Sequence, residues 1–245
     1  MPAVEKRSGK RTWVAPTVVA AVCAALLAFA LTGGDRSEQA DEGAAAPSEP
    51  GAYGEQPAGE ESPALALERR DPDDPLTDGP VDAPITMVVY SDYQCPFCAG
   101  WSHETLPTMR EYAAAGELRI EWRDINILSE VSERASIASY AAGLQGRFWE
   151  YHEALFPEGE IRSASELTDQ GLVELAVEVG LDEDRFVEDM TAADTVDAID
   201  RNAQEGLAAG VSSTPAFVLD GQPMLGAQPT PVFVEMIEQA LTDGA

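Results

Sequence analysis

The sequence predicts a single α/β domain over residues 81–245. In this domain a helical insertion separates a strand–helix–strand unit from a C-terminal hairpin and helix. Three observations lead to this prediction. An almost unbroken run of β-forming residues spans Ile85–Tyr90, apolar residues recur at helical spacing over 129–209, and Asp220-Gly221 separates two short apolar runs. The predicted domain of about 165 residues has a usual size.

The first unit follows from its apolar runs and the breaks between them. Ile85–Tyr90 is typical of a strand buried on both faces of a sheet that helices cover. Cys98–Ala115 predicts a helix that bends near Pro107 and ends at Gly116. Leu118–Asp124 alternates apolar with charged residues, which is the period of a strand. The predicted order is therefore strand, helix, strand.

The insertion over about 129–209 shows no strand pattern. Its apolar residues recur three and four positions apart, as on one face of a helix. Glycine and proline divide it into about four or five helices, with the breaks at Gly146, Pro157, Gly159 and Gly180.

The C-terminal unit begins with a hairpin. Ala216–Leu219 and Pro223–Leu225 are short apolar runs, and an Asp-Gly pair between such runs is a common hairpin signal. A last amphipathic segment predicts a helix from about Pro231 to Leu241.

The N-terminal part predicts export. Trp13–Leu31 is apolar and uncharged, and at about 1.5 Å per residue it is long enough to cross a bilayer. Basic residues precede it and acidic residues follow it, which favours a cytoplasmic N-terminus. We expect a cytoplasmic stretch at 1–12, a transmembrane anchor at 13–33 and the domain outside the cell membrane. A cleaved signal peptide is the alternative, because Ala28-Phe29-Ala30 resembles an A-x-A cleavage site.

Residues 34–80 are rich in Glu, Asp, Ala, Pro and Gly, which predicts a disordered acidic linker. The whole chain has 15 Lys and Arg against 44 Asp and Glu, with a net charge of -29. Nucleic-acid binding by phosphate neutralisation is excluded on this balance, because an acidic surface repels phosphate.

Two of the three cysteines, Cys95 and Cys98, stand where the first strand meets the first helix. A thiolate at a helix N-terminus meets unpaired backbone N–H groups, which lower its pKa from about 8.5 toward roughly 3.5 to 7.5. This placement predicts Cys95 as the nucleophile and Cys98 as the more buried thiol that resolves a mixed disulfide. Pro96 suits the first turn, where its missing N–H costs nothing.

Other interpretations of this pair have less support. A zinc site needs further ligands, yet after the apolar segment the chain has no other cysteine and only His103 and His152. An inert structural disulfide across two residues restrains the unfolded chain little. A copper site made from Cys95, Cys98 and His103 remains a weaker alternative.

A second signal lies at Gly210–Phe217, where Pro215 opens a strand, a place that proline accepts only at an end or edge. With Tyr90–Cys98 and Gln145–Phe156, this segment resembles the DsbA-like branch of the thioredoxin superfamily, including its membrane-tethered Gram-positive members. The resemblance covers Val81–Leu241. It implies a thioredoxin-like fold with a helical insertion, a cis Thr214–Pro215 bond and a Thr214 backbone that contacts substrate polypeptide.

The surroundings of the thiols follow the resemblance in part. Asp92, three residues before Cys95, fits the family pattern as a carboxylate for proton transfer or for capping. Phe97 stands beside Pro96 where the strongest oxidant of the family has histidine, and it offers the thiolate no charge. The segment from Asp124 to Leu128 departs from the Phe-Pro-Leu-like loop of relatives.

The resemblance also implies a function. The expected activity is disulfide formation in exported polypeptides through Cys95 and Cys98, by a monomer without cofactor or metal. A membrane quinone-linked partner of the DsbB or VKOR-like kind would reoxidise the dithiol. Isomerase or reductase activity of the same fold remains an alternative, because Phe97 and Thr214 leave the direction open, and a copper metallochaperone is a further one.

Overall fold

The computed structural model of the protein describes residues 67–244. The predicted cytoplasmic stretch, the anchor and the linker up to residue 66 lie outside the described residues. Within the described range no helix combines the length and the apolar character needed to span a bilayer.

The core of the fold is a five-stranded mixed sheet with the order β1-β3-β2-β4-β5. β2 and β3 are parallel, whereas β1, β4 and β5 each run antiparallel to their neighbours. β2 therefore lies at the centre and delivers its last residue to the edge of the sheet where the first helix begins. The strands are β1 (Thr77–Asp78), β2 (Ile85–Ser91), β3 (Leu118–Asp124), β4 (Ala216–Leu219) and β5 (Gln222–Leu225).

Eight α-helices surround the sheet in the described part of the chain, and five of them form the insertion that the sequence predicts. A short 3-10 turn at Pro157–Gly159 follows the second helix of the insertion. The helices are α1 (Pro96–Glu104), α2 (Leu106–Ala114), α3 (Glu130–Leu144), α4 (Phe148–Leu155), α5 (Asp169–Glu178), α6 (Glu183–Thr191), α7 (Ala193–Ala208) and α8 (Thr230–Asp243).

Apolar residues on each face of the sheet have separate packing partners. On one face Trp101 of α1 and Phe233 of α8 pack on Phe217, with ring centroids 4.7 Å and 5.0 Å from it. On the other face Tyr90 and Ile125 form a smaller cluster with the ends of β4. The insertion has its own core, and both Cys95 and Cys98 belong to it. The dithiol thus lies where the sheet and the insertion meet.

The predicted bent helix over Cys98–Ala115 is two helices that meet at Thr105. Pro107 lies in the first turn of α2, where its missing N–H has no partner to lose. A continuous helix would bring its ring against the carbonyl group four residues earlier, so the chain breaks before it.

The predicted start of ordered sequence at Val81 is too late. Leu76 is fully buried, and β1 pairs with β3 through Thr77 opposite Glu121. The acidic composition of this stretch suggested a solvated linker, but Asp74 forms an ion pair with the buried Arg123 at 3.0 Å. Residues 67–80 are therefore part of the domain.

Candidate redox site

Cys95 is the N-cap of α1, where the sequence places the strand-to-helix junction. Its Sγ accepts a hydrogen bond from the Cys98 backbone N–H at 3.4 Å. Its own N–H donates to the Asp92 carbonyl at 3.0 Å, which closes the turn after β2. Pro96 occupies the first helical turn. The Cys98 N–H is shared between this sulfur and the Cys95 carbonyl, which lies 3.1 Å away, so the first turn of the helix directs a donor at the sulfur.

The two thiols have opposite acidity. The hydrogen bond from the Cys98 side chain, helped by one from the Thr214 side chain, lowers the pKa of Cys95 to about 6 against the opposing effect of burial. Burial and the adjacent Cys95 raise the pKa of Cys98 far above its usual range. Both cysteines are free thiols. At neutral pH Cys95 is the thiolate and Cys98 keeps its proton.

The loop before β4 completes the site. Ala216 pairs with Tyr90 at the end of β2, which brings Thr214 next to the cysteines. The Thr214–Pro215 peptide bond is cis. Cys95 Sγ and the Thr214 carbonyl oxygen lie 3.3 Å apart, so Cys95 can donate to this oxygen when it is protonated. The structure therefore brings together both sequence signals, which lie 119 residues apart.

Three other residues in the predicted surroundings of the thiols have different environments. Asp92 is fully buried, and its carboxylate accepts from Gln94 N–H at 2.7 Å, the Ser132 hydroxyl at 2.6 Å and Leu128 N–H at 3.0 Å. It holds the chain after β2 to the loop after β3. Pro96 and Phe97 are exposed, and Phe97 has 70% of its surface open to solvent. The side chain between the thiols is thus available to a partner.

Asp124, the last residue of the predicted strand and the first of the divergent segment, is a buried carboxyl group to which the sequence assigns no role. It accepts from the Trp122 indole N–H at 3.0 Å and from the Ser139 hydroxyl at 3.5 Å. Burial raises its pKa to about 7, with the charge of Asp92 adding to the increase and the Trp122 bond opposing it. No local pattern signals this burial, because α3 of the insertion provides the cover.

Asp124→Asn is expected to remove a pH dependence of stability. The folded-state pKa exceeds the ordinary value, so the charge costs stability as pH rises from about 3.9 to 7, and the loss is constant above that range. Asparagine keeps the Trp122 bond without the charge. We expect the free energy of unfolding of the variant to exceed that of wild type by about 4 kcal/mol at pH 8, because the folded-state pKa lies about three units above the ordinary value, and not at pH 4.

Urea unfolding at the two pH values measures this difference, with the exposed Glu235→Gln as the control variant. If the free energies of unfolding of Asp124→Asn and wild type depend on pH in the same way, folding does not raise the pKa of Asp124 and the prediction is wrong.

The two histidines also have different environments. His152 is buried and hydrogen-bonds Tyr93 through Nδ1 at 3.0 Å and Ser102 through Nε2 at 3.1 Å. Burial lowers the pKa of His152 to about 3, so the ring is neutral. His103 is exposed on α1. In the described part of the chain no group of three His, Cys, Asp or Glu residues is arranged to hold a metal ion.

A dithiol at a strand-to-helix junction, with one acidic and one buried thiol, is the site of a thiol-disulfide oxidoreductase of thioredoxin-like fold. The chain belongs to the thioredoxin family, whose model, described as Thioredoxin, matches residues 72–239.

Solved structures agree on the fold. A thioredoxin-like oxidoreductase from Silicibacter pomeroyi is 26% identical with a TM-score of 0.60, over 73% of this chain and 96% of that one. Alpha-DsbA1 from Wolbachia pipientis is 20% identical with a TM-score of 0.64, over 74% of this chain and 96% of that one. BdbD from Bacillus subtilis is 21% identical with a TM-score of 0.60, over 68% of this chain and 92% of that one. The structural neighbours are DsbA-like proteins, and the predicted thioredoxin-like fold with a helical insertion is confirmed.

The curated relatives are larger proteins. Na(+)/H(+) antiporter NhaA 1 of Salinispora arenicola is 33% identical over 156 residues, which is 62% of this chain and 22% of the antiporter. The NhaA antiporter of Herminiimonas arsenicoxydans is 28% identical over 179 residues, 69% of this chain and 26% of that protein. The match thus covers about a quarter of the length of these relatives.

Proposed function

We propose that the protein introduces disulfides into exported polypeptides through the Cys95–Cys98 pair. The observation that carries the proposal is the contrast between the two thiols. Cys95 caps α1 with a pKa of about 6, whereas Cys98 lies buried beneath it with a raised pKa. A stabilised thiolate favours the reduced form of the pair, which makes its disulfide a better oxidant.

The exchange balances in two steps. A substrate thiolate attacks Cys95 Sγ of the disulfide, and Cys98 leaves as a thiolate that takes up a proton. The second substrate thiolate then attacks the substrate sulfur, and Cys95 leaves as a thiolate. The substrate gains one disulfide and the enzyme gains two electrons. The low pKa of Cys95 assists its departure in the second step.

The substrate surface is formed by Thr214 and Phe97 in this proposal. The loop that carries Thr214 lies against Cys95, so that its backbone can pair with an extended polypeptide. Phe97 is exposed beside the thiols and offers an apolar contact to an unfolded chain.

The proposed setting is the outer face of the cell membrane, with the apolar segment at 13–33 as the anchor. A quinone-linked membrane protein of the DsbB or VKOR-like kind would then take the two electrons. The occurrence of a related segment within Na(+)/H(+) antiporters supports a membrane setting.

The redox equilibrium of the purified chain with glutathione tests the direction of exchange. We expect a reduction potential well above that of thioredoxin, which is about -270 mV, and toward that of the oxidant DsbA, at about -120 mV. A potential near the thioredoxin value would overturn the oxidase proposal in favour of a reductase. Recovery of activity from a scrambled disulfide protein without net oxidation would favour an isomerase.

A further inference from the structure

Residues 67–70, which we call the N-terminal strap, cross the charged side of β3. The backbone N–H groups of Arg69 and Arg70 donate to the two carboxylate oxygens of Glu121 at 2.9 Å and 2.7 Å. Glu121 is fully buried, so these bonds are shielded from solvent. They fix the course of the strap.

The Arg69 side chain continues from this anchor to the last turns of α7. Its Nε and one terminal nitrogen donate to Glu205 Oε2 at 2.9 Å and 2.8 Å. The other terminal nitrogen donates to Asn202 Oδ1 at 2.8 Å. A two-pronged guanidinium–carboxylate contact fixes orientation as well as distance. Arg69 therefore forms the shortest contacts that tie Glu205 to the strands, since the Tyr90 hydroxyl lies 3.5 Å and Arg123 Nε 3.7 Å from Glu205 Oε1.

The same end of α7 lies directly on the strands that lead to the site. A Cβ added to Gly206 would stand 2.6 Å from Ile125 Cγ2 and 3.0 Å from the Tyr90 ring, so the helix is in close contact there. The Val211 N–H donates to the Gly206 carbonyl at 2.9 Å. Leu67 of the strap and Val211 pack against the same apolar cluster. Val211, which begins the loop before β4, is thus held by α7 through its N–H and by the apolar cluster through its side chain.

Only Ser212 and Ser213 separate Val211 from Thr214. The Thr214 carbonyl oxygen lies 3.3 Å from Cys95 Sγ, and Thr214 is also the proposed contact for substrate backbone. A displacement at the end of α7 therefore reaches Thr214 through a short segment. Both serines are exposed, so the position of Thr214 depends on how the two ends of this segment are held.

We propose that Arg69 is a positioning residue for thiol-disulfide exchange, which holds α7 through Glu205 and Asn202 and so places Thr214 against Cys95. The inference rests on the proposed function, because it takes Cys95 as the attacked sulfur and Thr214 as the substrate contact. Arg69 and Glu205 are about a quarter exposed, so their ion pair alone stabilises the fold little. The proposed effect of this ion pair is on the position of α7 and, through it, on the position of Thr214 relative to Cys95.

The test compares Arg69→Ala, Arg69→Lys and a control, Arg110→Ala, in the full-length chain. Arg110 forms an equally short ion pair, with Asp78 at 2.7 Å, and stacks on Trp149 away from the strap. The readouts are kcat and KM for oxidation of a dithiol peptide, and the Cys95 thiolate pKa from its ultraviolet absorbance.

We expect Arg69→Ala to lower kcat/KM by about 2- to 30-fold, mainly by raising KM, because Thr214 no longer lies in place for the peptide backbone. The pKa of Cys95 should move away from the wild-type value of about 6, since the contact between Cys95 and Thr214 changes. Arg69→Lys should recover part of the loss, whereas Arg110→Ala should match wild type in both readouts.

A purely structural role would lower the unfolding midpoint of Arg69→Ala and leave kcat/KM and the Cys95 pKa unchanged, and that result overturns the inference. If Arg69→Ala does not fold, Glu205→Ala removes the main acceptor of Arg69 on α7 and is judged by the same readouts. Absence of exchange in wild type overturns the proposed function instead, so the two failures are distinguishable.

Discussion

Cys98→Ala is expected to accumulate mixed disulfides with its substrates, whereas Cys95→Ala is expected to form none. Cys95 has the acidic thiol and the helix N–H, so the covalent bond to substrate forms there. Cys98 is the buried partner that breaks this bond in reduction, and in oxidation it is the thiolate that leaves Cys95 as this bond forms. Both variants should lose turnover, because each redox cycle needs both sulfurs.

Non-reducing electrophoresis of each reduced variant after mixing with an unfolded protein that carries a disulfide measures the adducts, because a thiolate forms a mixed disulfide by attacking a disulfide sulfur. Cys23 is the third cysteine of the chain and lies outside the described residues. Both variants should therefore carry Cys23→Ala, with the otherwise unchanged Cys23→Ala chain as the reference for activity. Adducts with Cys95→Ala and none with Cys98→Ala would assign the attacking sulfur to Cys98.

Short-range patterns were sufficient to predict most of the sheet and the helices. Leu118–Asp124 alternates in sequence and is a strand with the predicted bounds. Glycine and proline lie at three of the four breaks between the helices of the insertion, whereas the break between α6 and α7 lies at Ala192, where no such signal stands. The pairing of Thr214 with the cysteines was implied by the family resemblance alone, because no local signal joins segments that far apart.

The environments of charged residues required the tertiary structure. Asp124 and Asp92 each lie beside a buried strand end, but only the packing of α3 shows that both are shielded and hydrogen-bonded by its serines. The strap has an acidic, proline-rich context that predicts disorder. Its order comes from Glu121, whose partners Arg69 and Arg70 lie 52 and 51 residues away in sequence.

Glu121→Ala is expected to lower the free energy of unfolding at pH 7 by about 3 to 5 kcal/mol, because it leaves the buried Arg119 without its carboxylate partner and Arg123 with Asp74 as its nearest one. Glu121 accepts from Arg119 Nε at 2.9 Å and from Arg123 at 2.9 Å, besides the two strap N–H groups. Both arginines are almost fully buried. The charge therefore cannot be compensated by water, and the strap loses its anchor in the same step.

The pH dependence of this contribution has a definite sign. Burial alone would raise the pKa of Glu121, but the Arg69 N–H and the Arg119 side chain lower it below the ordinary value. A lowered folded-state pKa stabilises the fold above the unfolded pKa of about 4.3 and loses its effect as pH falls through the folded value. The difference in free energy of unfolding between wild type and Glu121→Gln should therefore be smaller at pH 3 than at pH 7.

Urea unfolding of wild type, Glu121→Ala and Glu121→Gln at pH 7 and at pH 3 measures these free energies, with Glu235→Ala as the matched control. Glu235 is exposed on α8, so its replacement should change stability by less than about 0.5 kcal/mol at either pH. If Glu121→Ala proves as mild as this control, the arginines must find other partners in the variant. The strap would then be held by its apolar contact at Leu67, and Arg69 would have no fixed point from which to position α7.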